Sequence, residues 1–338
     1  MQHDSTGREI AAQVDAWNDA HHAVLAAADA IKALWERQTV DQIVVTGCGS
    51  THYLAKTAAS LLQVSTGVLT KAVPASELLL HPQAVYGRGN PLLVAISRSG
   101  ATSETIQAVE QFKDRYQSDV IVISCYDDKP LNALATLNLT ARAGQEISVA
   151  QTRSFSAMLV LAEGLARVLG SASPVAATFD ETLHGWVNQT RAVAAQYGDP
   201  QRFQRVFYLG SGALFGLACE AMLKMKEMSL TSAEAFHTLE FRHGPKSMVD
   251  SETLIVGLLD EHNETEMAVI EEMRALGATT VTLSQAAGEG ITIPLAHYAE
   301  RPSLVHYMPF VQWLAYLRAI NKGLNPDTPR NLDQVVVL

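Results

Sequence analysis

Residues 97–105 read S-R-S-G-A-T-S-E-T, and the interpretation of the whole chain starts from this stretch. It follows an apolar run at 92–96 that is typical of a buried parallel strand, and it precedes a helical pattern at 106–112. At such a turn, backbone N–H groups and the positive end of the helix dipole point to one spot. Its five hydroxyl side chains favour a small-molecule phosphate monoester as the ligand. The alternative is an ordinary capped helix, because Ser and Thr are common N-caps.

The composition narrows the class of protein. The chain has 338 residues, 48% of them hydrophobic, which is enough for two ordinary domains. Its net charge of −10 argues against nucleic-acid binding, because a polyanion would find no broad basic surface. Three scattered cysteines without metal-ligand spacing indicate free thiols, and the sequence shows neither a signal pattern nor a membrane-spanning run. We therefore expect a cytoplasmic protein without a metal site.

The first half of the chain has the pattern of an α/β domain behind an N-terminal helix. Apolar spacing predicts a helix over residues 8–36, with a break near His21 and His22. The strands and helices predicted after it are 43–46, 52–62, 68–73, 74–80, 92–96, 102–116, 119–124, 137–140, 150–169 and 174–197. Gly47 and Gly49 allow a tight turn, and Ser50 or Thr51 is expected to cap the next helix. The third glycine of a dinucleotide-binding fingerprint is missing, which argues against a nicotinamide site.

The second half repeats the first. Gly210 lies 163 positions after Gly47, and strand patterns at 205–209, 254–259 and 281–284 follow the order of those in the first half. A helix is predicted at 214–228. This indicates tandem duplication of one α/β domain. Where the first copy has its hydroxyl-rich turn, the second has D-E-H-N at 260–263, whose carboxylates would repel a phosphate. We therefore expect the first copy to bind the anion.

Ionisable residues cluster in the second copy. Glu220, Lys224 and Glu227 recur at spacings of four and three, so they share one helix face. The same spacing also fits a solvent-exposed stripe of salt bridges. Further along, His243 begins a glycine–proline turn with carboxylates nearby, a setting that suits acid–base chemistry near neutral pH.

Six motifs, in order, make the chain resemble the tandem sugar isomerase (SIS) domain proteins, and most of all the isomerase half of the glucosamine-6-phosphate synthases. They are G-C-G-S-T at Gly47, the stretch 97–105, E-I-S-V-A-Q-T at Glu146, E-A-M-L-K-M-K-E at Glu220, E-F-R-H-G-P at Glu240 and D-T-P-R-N-L at Asp327. The resemblance covers residues 40–338. It implies a fold of two tandem SIS domains, each with a doubly wound, mostly parallel sheet flanked by helices.

The resemblance also implies residue roles. The hydroxyl loop of the family holds a sugar 6-phosphate, which assigns that role to Ser97, Ser99 and Thr102, with Ser50 and Thr51 from the first glycine turn. Glu227 corresponds to the glutamate that moves a proton between C1 and C2 of the sugar, with Lys224 beside it. His243 corresponds to the ring-opening histidine, which in the family reaches the site of a neighbouring subunit. The remaining implied substrate contacts are Arg98, Ala150, Gln151 and Glu220.

The chain departs from the pattern of the synthases at three positions. Arg98 stands where the family usually has glutamine, and its guanidinium could pair with the phosphate bidentately. Gln151 replaces a serine. Gln334 replaces the lysine that forms a Schiff base with the ketose, and a glutamine cannot form an imine. Since the glutaminase half is also missing from the sequence, we expect no glutaminase activity.

These observations lead to a domain plan: an N-terminal helical segment at 1–40, a first SIS domain at 41–172, a linker helix at 173–199, a second SIS domain at 200–325 and a tail at 326–338. The site is expected at the carboxyl ends of the strands of the first domain, completed by the second. The implied assembly is a homodimer that binds a phosphorylated sugar, with no cofactor and no nucleic-acid or membrane partner.

The expected reaction is isomerisation with deamination of an amino-sugar 6-phosphate of the glucosamine 6-phosphate type. Two alternatives within the family are a fructosamine-6-phosphate deglycase and a simple aldose–ketose isomerase. A sugar-phosphate sensor without catalysis is a further alternative. Retention of Glu227 and His243, and the lack of a visible helix-turn-helix extension, argue against the sensor.

Overall fold

The structure, a computed structural model, describes residues 4–171, 179–260, 264–284, 291–294 and 303–336. The chain forms two compact units. The first-half unit comprises Ala12–Glu146, Gln151–Asp180 and Asp333–Leu338. The second-half unit comprises Met1–Ala11, Ile147–Ala150 and Glu181–Leu332.

Strands and helices alternate along most of the chain. The strands are β1 (Gln42–Gly47), β2 (Thr70–Pro74), β3 (Pro91–Ile96), β4 (Val120–Ser124), β5 (Leu137–Thr140), β6 (Arg205–Gly210), β7 (Ala233–Phe236), β8 (Thr253–Leu258), β9 (Thr279–Ser284) and β10 (Ile291–Pro294). The helices are α1 (Ser5–Ala11), α2 (Gln13–Glu36), α3 (Ser50–Thr66), α4 (Ala75–Leu80), α5 (Pro82–Val85), α6 (Ser103–Tyr116), α7 (Pro130–Leu134), α8 (Arg153–Leu169), α9 (Thr182–Ala194), α10 (Ala213–Ser229), α11 (Glu264–Ala275) and α12 (Met308–Asn321). Short 3-10 helices are Arg142–Gly144, Glu240–Arg242, Pro245–Met248 and Leu304–Tyr307.

The sheet of the first-half unit has the strand order β2-β1-β3-β4-β5, and all of its neighbours are parallel. Val44 of β1 lies opposite Lys71 of β2 and Leu93 of β3. Every residue of β1, β3 and β4 is buried, because helices cover both faces of the sheet. One face packs against α4 and α6 through Val109 and Phe112, and α3 packs between β1 and α8 on the other.

The sheet of the second-half unit repeats this topology. Its order is β10-β9-β8-β6-β7, again with parallel neighbours, so each strand takes the place of its counterpart in the first sheet. Phe207, Leu209 and Ile255 from the sheet pack with Phe241 and Ile270. The prediction of two doubly wound α/β domains related by duplication is confirmed.

The duplication extends to the turns. Gly47 and Gly210 each end the first strand of a copy, where a Cβ atom would lie 2.6 Å from Thr51 Oγ1 and 2.8 Å from the Leu214 carbonyl, respectively. Two residues later in each copy, a glycine begins the helix with a positive φ, 56° at Gly49 and 55° at Gly212. The first glycine therefore permits close approach of strand and helix, and the second supplies backbone geometry that other residues rarely adopt.

The N-terminal helix is broken at a different place from the one predicted. The break lies at Ala12, with φ −95° and ψ 10°, and His21 and His22 lie inside the continuous helix α2. Helix α1 packs against α9 and α12 of the second-half unit, whereas α2 packs against α8 of the first-half unit. The helix ends where the chain passes from one unit to the other, so tertiary contacts rather than local sequence determine the break.

Two other predicted helices are too long. The one expected to begin at 150 begins at Arg153, because the preceding residues form a polar turn. The one expected at 174–197 is α9, whose flanking residues 179–181 and 195–197 are not helical; residues 174–178 lie outside the described part. Several elements were not predicted, namely α5, α7, β7, α11, β10 and α12. Among the described residues, no helix is both long and apolar enough to span a membrane.

Candidate functional site

The hydroxyl-rich turn follows β3 and leads into α6, as predicted. The hydroxyls of Ser97 and Ser99 accept hydrogen bonds from Gly100 N and Ala101 N, both at 3.2 Å, and Ser97 Oγ lies 3.4 Å from Thr102 Oγ1. A hydroxyl that accepts an N–H bond keeps its own hydrogen to donate. The turn thus brings three hydroxyls close together at the N-terminus of a helix, which suits an anion.

The hydroxyl of the residue at the start of α6 does not form a capping hydrogen bond. Thr102 is the N-cap of α6, and its side chain makes no capping hydrogen bond. Gly100 has a φ of 62°, and a Cβ atom there would lie 2.8 Å from the Cβ of Lys129. The turn is therefore folded tightly against α7 by its glycine, and the interpretation as an ordinary capped helix is not supported.

The first glycine turn differs from its prediction. Gly49, rather than Ser50 or Thr51, is the N-cap of α3. Thr51 Oγ1 accepts from Cys48 N and donates to the Cys48 carbonyl, both at 2.9 Å, so this hydroxyl stabilises the turn itself. Ser50 and Thr51 are both buried in the first turn of the helix.

The side chain of Arg98 is directed into the protein. Its side chain is 8% exposed, and Nη1 lies 3.2 Å from Oε1 of Glu146, whose side chain is fully buried. Nη2 donates to the carbonyl of Gln334 at 2.9 Å. The expected bidentate contact of Arg98 with a phosphate is not what this geometry favours, because the buried carboxylate already holds the guanidinium.

The E-I-S-V-A-Q-T motif forms the polar turn before α8. Glu146 accepts hydrogen bonds from the backbone N–H groups and hydroxyls of Thr152 and Ser154. In the second-half unit, Ser148 donates to the Ala150 carbonyl at 3.1 Å, and Ala150 is buried. Gln151 is half-buried, and its Oε1 is shielded from solvent.

The ionisable row on α10 is largely buried, so it is not a solvent-exposed stripe. Glu220 and Lys224 are fully buried, and 18% of the Glu227 side chain is exposed. Lys224 Nζ lies 3.3 Å from Glu220 Oε1 and donates to Glu227 Oε2. Burial opposes the charged form of Lys224, but the two carboxylates outweigh it and raise the pKa of Lys224. Glu227 is thus a partly exposed carboxylate held by a buried ammonium, as a positioned base requires.

His243 lies exposed between the two short 3-10 helices of the second-half unit, beside Gly244 with its φ of 125°. The residues on either side of it are tied to one carboxylate of α11. Glu272 accepts from Arg242 Nε at 2.9 Å and from Lys246 Nζ at 2.8 Å. Hydrogen bonding from Lys246 lowers the pKa of Glu272. The imidazole therefore stands on a turn that is fixed from both sides.

The two repeated halves of the chain match one known protein family. The SIS domain family matches residues 38–167 and 201–292, the two copies of the repeated sheet. The chain belongs to the SIS domain family. Its predicted resemblance is confirmed, and both SIS segments contain the strand, glycine turn and helix described above.

Several relatives and structural neighbours of this SIS protein are named as phosphosugar enzymes. The chain is 27% identical over 323 residues to the glutamine–fructose-6-phosphate aminotransferase (isomerizing) of Lactiplantibacillus plantarum, covering 89% of this chain and 52% of the relative. It therefore spans about half the length of this aminotransferase. A glucosamine-6-phosphate deaminase from Thermotoga maritima has a TM-score of 0.74 and 28% identity, covering 95% of this chain and 100% of that chain. A tagatose-6-phosphate ketose/aldose isomerase from Escherichia coli shares the fold with a TM-score of 0.83 and 24% identity, covering 96% and 94%.

Three contributors to these geometries were not predicted as such. Glu146 was part of a quoted motif, but nothing in the sequence paired it with Arg98. Glu9 accepts from Ile147 N at 2.5 Å and from Ser148, across 138 residues of chain, and Glu272 holds the His243 turn. Local sequence carries no signal for such long-range pairs. Within the described residues, no group of three or more His, Cys, Asp or Glu side chains could hold a metal ion.

Proposed function

We propose that this protein is a phosphosugar isomerase that deaminates an amino-sugar 6-phosphate of the glucosamine 6-phosphate type. The observation that carries the proposal is the buried row on α10, in which Glu227 alone is partly exposed. A carboxylate in that setting can take a proton from one sugar carbon and return it to the next.

The proposed reaction needs no covalent bond to the protein. Glu227 removes the proton from C2 of the open-chain amino sugar while the C1 aldehyde oxygen gains a proton, which gives an enolamine. Glu227 then delivers its proton to C1 as the nitrogen loses one, so C1 becomes a hydroxymethyl group and the C2 amine becomes an imine. Water then adds to the imine carbon, and ammonia leaves to give the ketose 6-phosphate. Lys224 keeps the shuttle carboxylate in position and balances its charge. This scheme is consistent with Gln334, because no imine-forming lysine is required.

Substrate binding is assigned to the hydroxyl-rich turn. Ser97, Ser99 and Thr102 would donate hydrogen bonds to the 6-phosphate at the N-terminus of α6, with the carbonyl and amide groups around Ala150 and Gln151 contacting the sugar. His243 would open the sugar ring, in the site of a neighbouring subunit of a homodimer. Its exposure and its doubly anchored turn support a role in which it reaches outward.

The likeness to the deaminase from Thermotoga maritima, at 28% identity, supports this proposal over the alternatives. The fructosamine-6-phosphate deglycase and the simple aldose–ketose isomerase share the same proton shuttle. The deaminase releases ammonia from C2, the deglycase releases an amine from C1 and the isomerase releases nothing, so a substrate screen separates them.

The test is ammonia release. We expect the purified chain to release one ammonia for each ketose 6-phosphate formed from glucosamine 6-phosphate. Glu227→Gln should lower kcat by at least about a thousandfold and leave substrate binding unchanged, because the amide cannot accept the proton. Glu234→Gln, at an exposed carboxylate on β7, is the matched control and should keep full activity. The absence of ammonia release at high enzyme concentration would contradict the deaminase proposal. A mass-spectrometric screen of 6-phosphosugars and fructosamine phosphates would then identify which alternative holds.

A further inference from the structure

The side chain of Arg98 links three separate segments of the first-half unit, through one buried ion pair and one hydrogen bond. Arg98 comes from the hydroxyl-rich turn, Glu146 from the turn before α8, and Gln334 from the segment 333–336 near the end of the chain. Positions 98 and 334 are two of the three places where the sequence departs from the synthase pattern. In the structure they meet, because Arg98 Nη2 donates to the Gln334 carbonyl at 2.9 Å.

The buried charge keeps Arg98 in this position. Glu146 has a fully buried side chain, and Arg98 lies 3.2 Å from its Oε1. If Arg98 turned toward a ligand, the carboxylate would stay buried without its cation, which is strongly unfavourable. The Arg98 backbone is fixed as well, since its carbonyl accepts from Cys125 N at 3.1 Å.

Arg98 also lies between two of the hydroxyls that are assigned to the phosphate. Any shift of its backbone would move Ser97 and Ser99 together. The same side chain holds Gln334, so the shape of the turn and the position of segment 333–336 depend on one guanidinium.

We propose that Arg98 is a positioning residue and not a phosphate ligand: through Glu146 it fixes the hydroxyl-rich turn, and through the Gln334 carbonyl it ties segment 333–336 to that turn. The proposal rests on the proposed function only in assigning phosphosugar binding to the turn. The tie itself can be measured without any ligand.

The first experiment measures the tie in the ligand-free protein. A nitroxide spin label is attached at Val336→Cys, a position 58% exposed, with a control label at Val64→Cys on α3, 86% exposed. All proteins carry Cys48→Ser, the residue that the second copy has at the matching position, Ser211. We expect Arg98→Gln to sharpen the electron paramagnetic resonance lines of the label at 336 and to leave those at 64 unchanged. Equal line widths at 336 in the Arg98 and Arg98→Gln proteins would overturn the tie.

The second experiment measures binding of glucosamine 6-phosphate by calorimetry, with Glu227→Gln present in the binding measurements so that the ligand is not consumed. We expect Arg98→Gln and Glu146→Gln each to weaken binding about tenfold, and the double variant to be no weaker than either, because both remove the same pair. KM should rise with kcat unchanged, since the proton shuttle is not touched. A phosphate ligand would behave differently: Glu146→Gln would then leave affinity intact or improve it, and that result would overturn the proposal.

Arg98→Lys covers the case in which Glu146→Gln fails to fold. Lysine keeps the charge but has a single donor head, so it cannot span Glu146 and Gln334 as the planar guanidinium does. We expect Arg98→Lys to bind glucosamine 6-phosphate as weakly as Arg98→Gln and to leave the spin label at 336 mobile. Full rescue of affinity by lysine would indicate a direct phosphate contact and overturn the proposal. If the unaltered chain does not bind glucosamine 6-phosphate, the proposed function fails, and the line widths at 336 still decide on the tie.

Discussion

At the scale of single residues, burial separates side chains that share a chemical type. Lys224 and Lys226 both lie on α10, but Lys224 is fully buried between two carboxylates and Lys226 is exposed. The spacing of the charged residues is the same in an exposed salt-bridge stripe and in a buried row of ion pairs. Only the packing of the helix tells the two apart.

Replacing Lys224 is expected to cost far more stability than replacing Lys226. Lys224→Met leaves Glu220 and Glu227 without the ammonium that balances them, so the free energy of unfolding should fall by about 3–5 kcal/mol. Lys226→Met should change it by less than about 0.5 kcal/mol. Because the pKa of Lys224 is raised, its ion pairs should contribute their full stability at neutral pH. That stability should be lost only as the pH rises above about 10.4. Urea unfolding of both variants tests this, and equal losses would contradict it.

His306 should make stability depend on pH. Burial lowers its pKa to about 4 from 6.5, so the folded protein keeps it neutral while the unfolded chain takes up a proton below pH 6.5. Stability should therefore fall as the pH falls from 6.5 to 4, by up to about 3 kcal/mol. His306→Leu should flatten that decline in urea titrations between pH 7 and 4. The exposed His22→Leu is the control, and a decline of the same slope in the two variants would argue against the assignment.

At the scale of secondary-structure elements, the strand–turn–helix unit is what the sequence describes best. Every strand of the first sheet was predicted to within two residues. The central strands β1, β3 and β4 are buried throughout and largely apolar, because helices cover both faces of the sheet. Helix ends were predicted less well. The start of α8 at Arg153 and the break at Ala12 depend on which unit each segment packs against, which local sequence does not record.

Glycine substitutions should separate backbone geometry from helix propensity. Gly212 begins α10 with a φ of 55°, and a Cβ atom there would contact nothing within 4 Å. Gly212→Ala should lower the free energy of unfolding by about 1–3 kcal/mol through backbone strain alone. Gly185, exposed inside α9, has equally open space and no positive φ, so Gly185→Ala should raise stability by about 0.5–1 kcal/mol. Thermal and urea unfolding measure both, and effects of the same sign would contradict this account.

At the scale of the whole molecule, segments that lie more than 300 positions apart in the chain belong to one unit. Asp327 accepts from Ser5 N at 3.0 Å, Thr6 N at 2.8 Å and Thr6 Oγ1 at 2.7 Å, and its carbonyl accepts from Val149 N at 3.1 Å. Helix α1 is thereby capped by a carboxylate more than 300 positions away. The second-half unit thus includes the N-terminal helix α1, which is joined to it through Asp327.

Asp327→Ala should destabilise helix α1. Three hydrogen bonds to a buried carboxylate are lost, so we expect a drop of about 2–4 kcal/mol in stability and faster hydrogen exchange at Ser5–Ala11. Exchange in β1 and β3 of the first-half unit should stay unchanged. Asp333→Ala, at an exposed position nearby in sequence, is the control and should leave α1 protected. Unchanged exchange at α1 in Asp327→Ala would contradict the proposed cap.

The sequence by itself determined the fold class and the duplication, because apolar periodicity, paired glycine turns and their repeat spacing are visible in the sequence alone. It also identified Glu227, Lys224 and His243 as candidates through ordered motifs. The tertiary structure alone decided that the α10 row is buried, that Thr51 and Gly49 build a turn, and that Arg98 faces Glu146 and Gln334. Burial and pairing of charges join residues 48 to 236 positions apart, and no pattern within a window of the sequence can encode which of them meet.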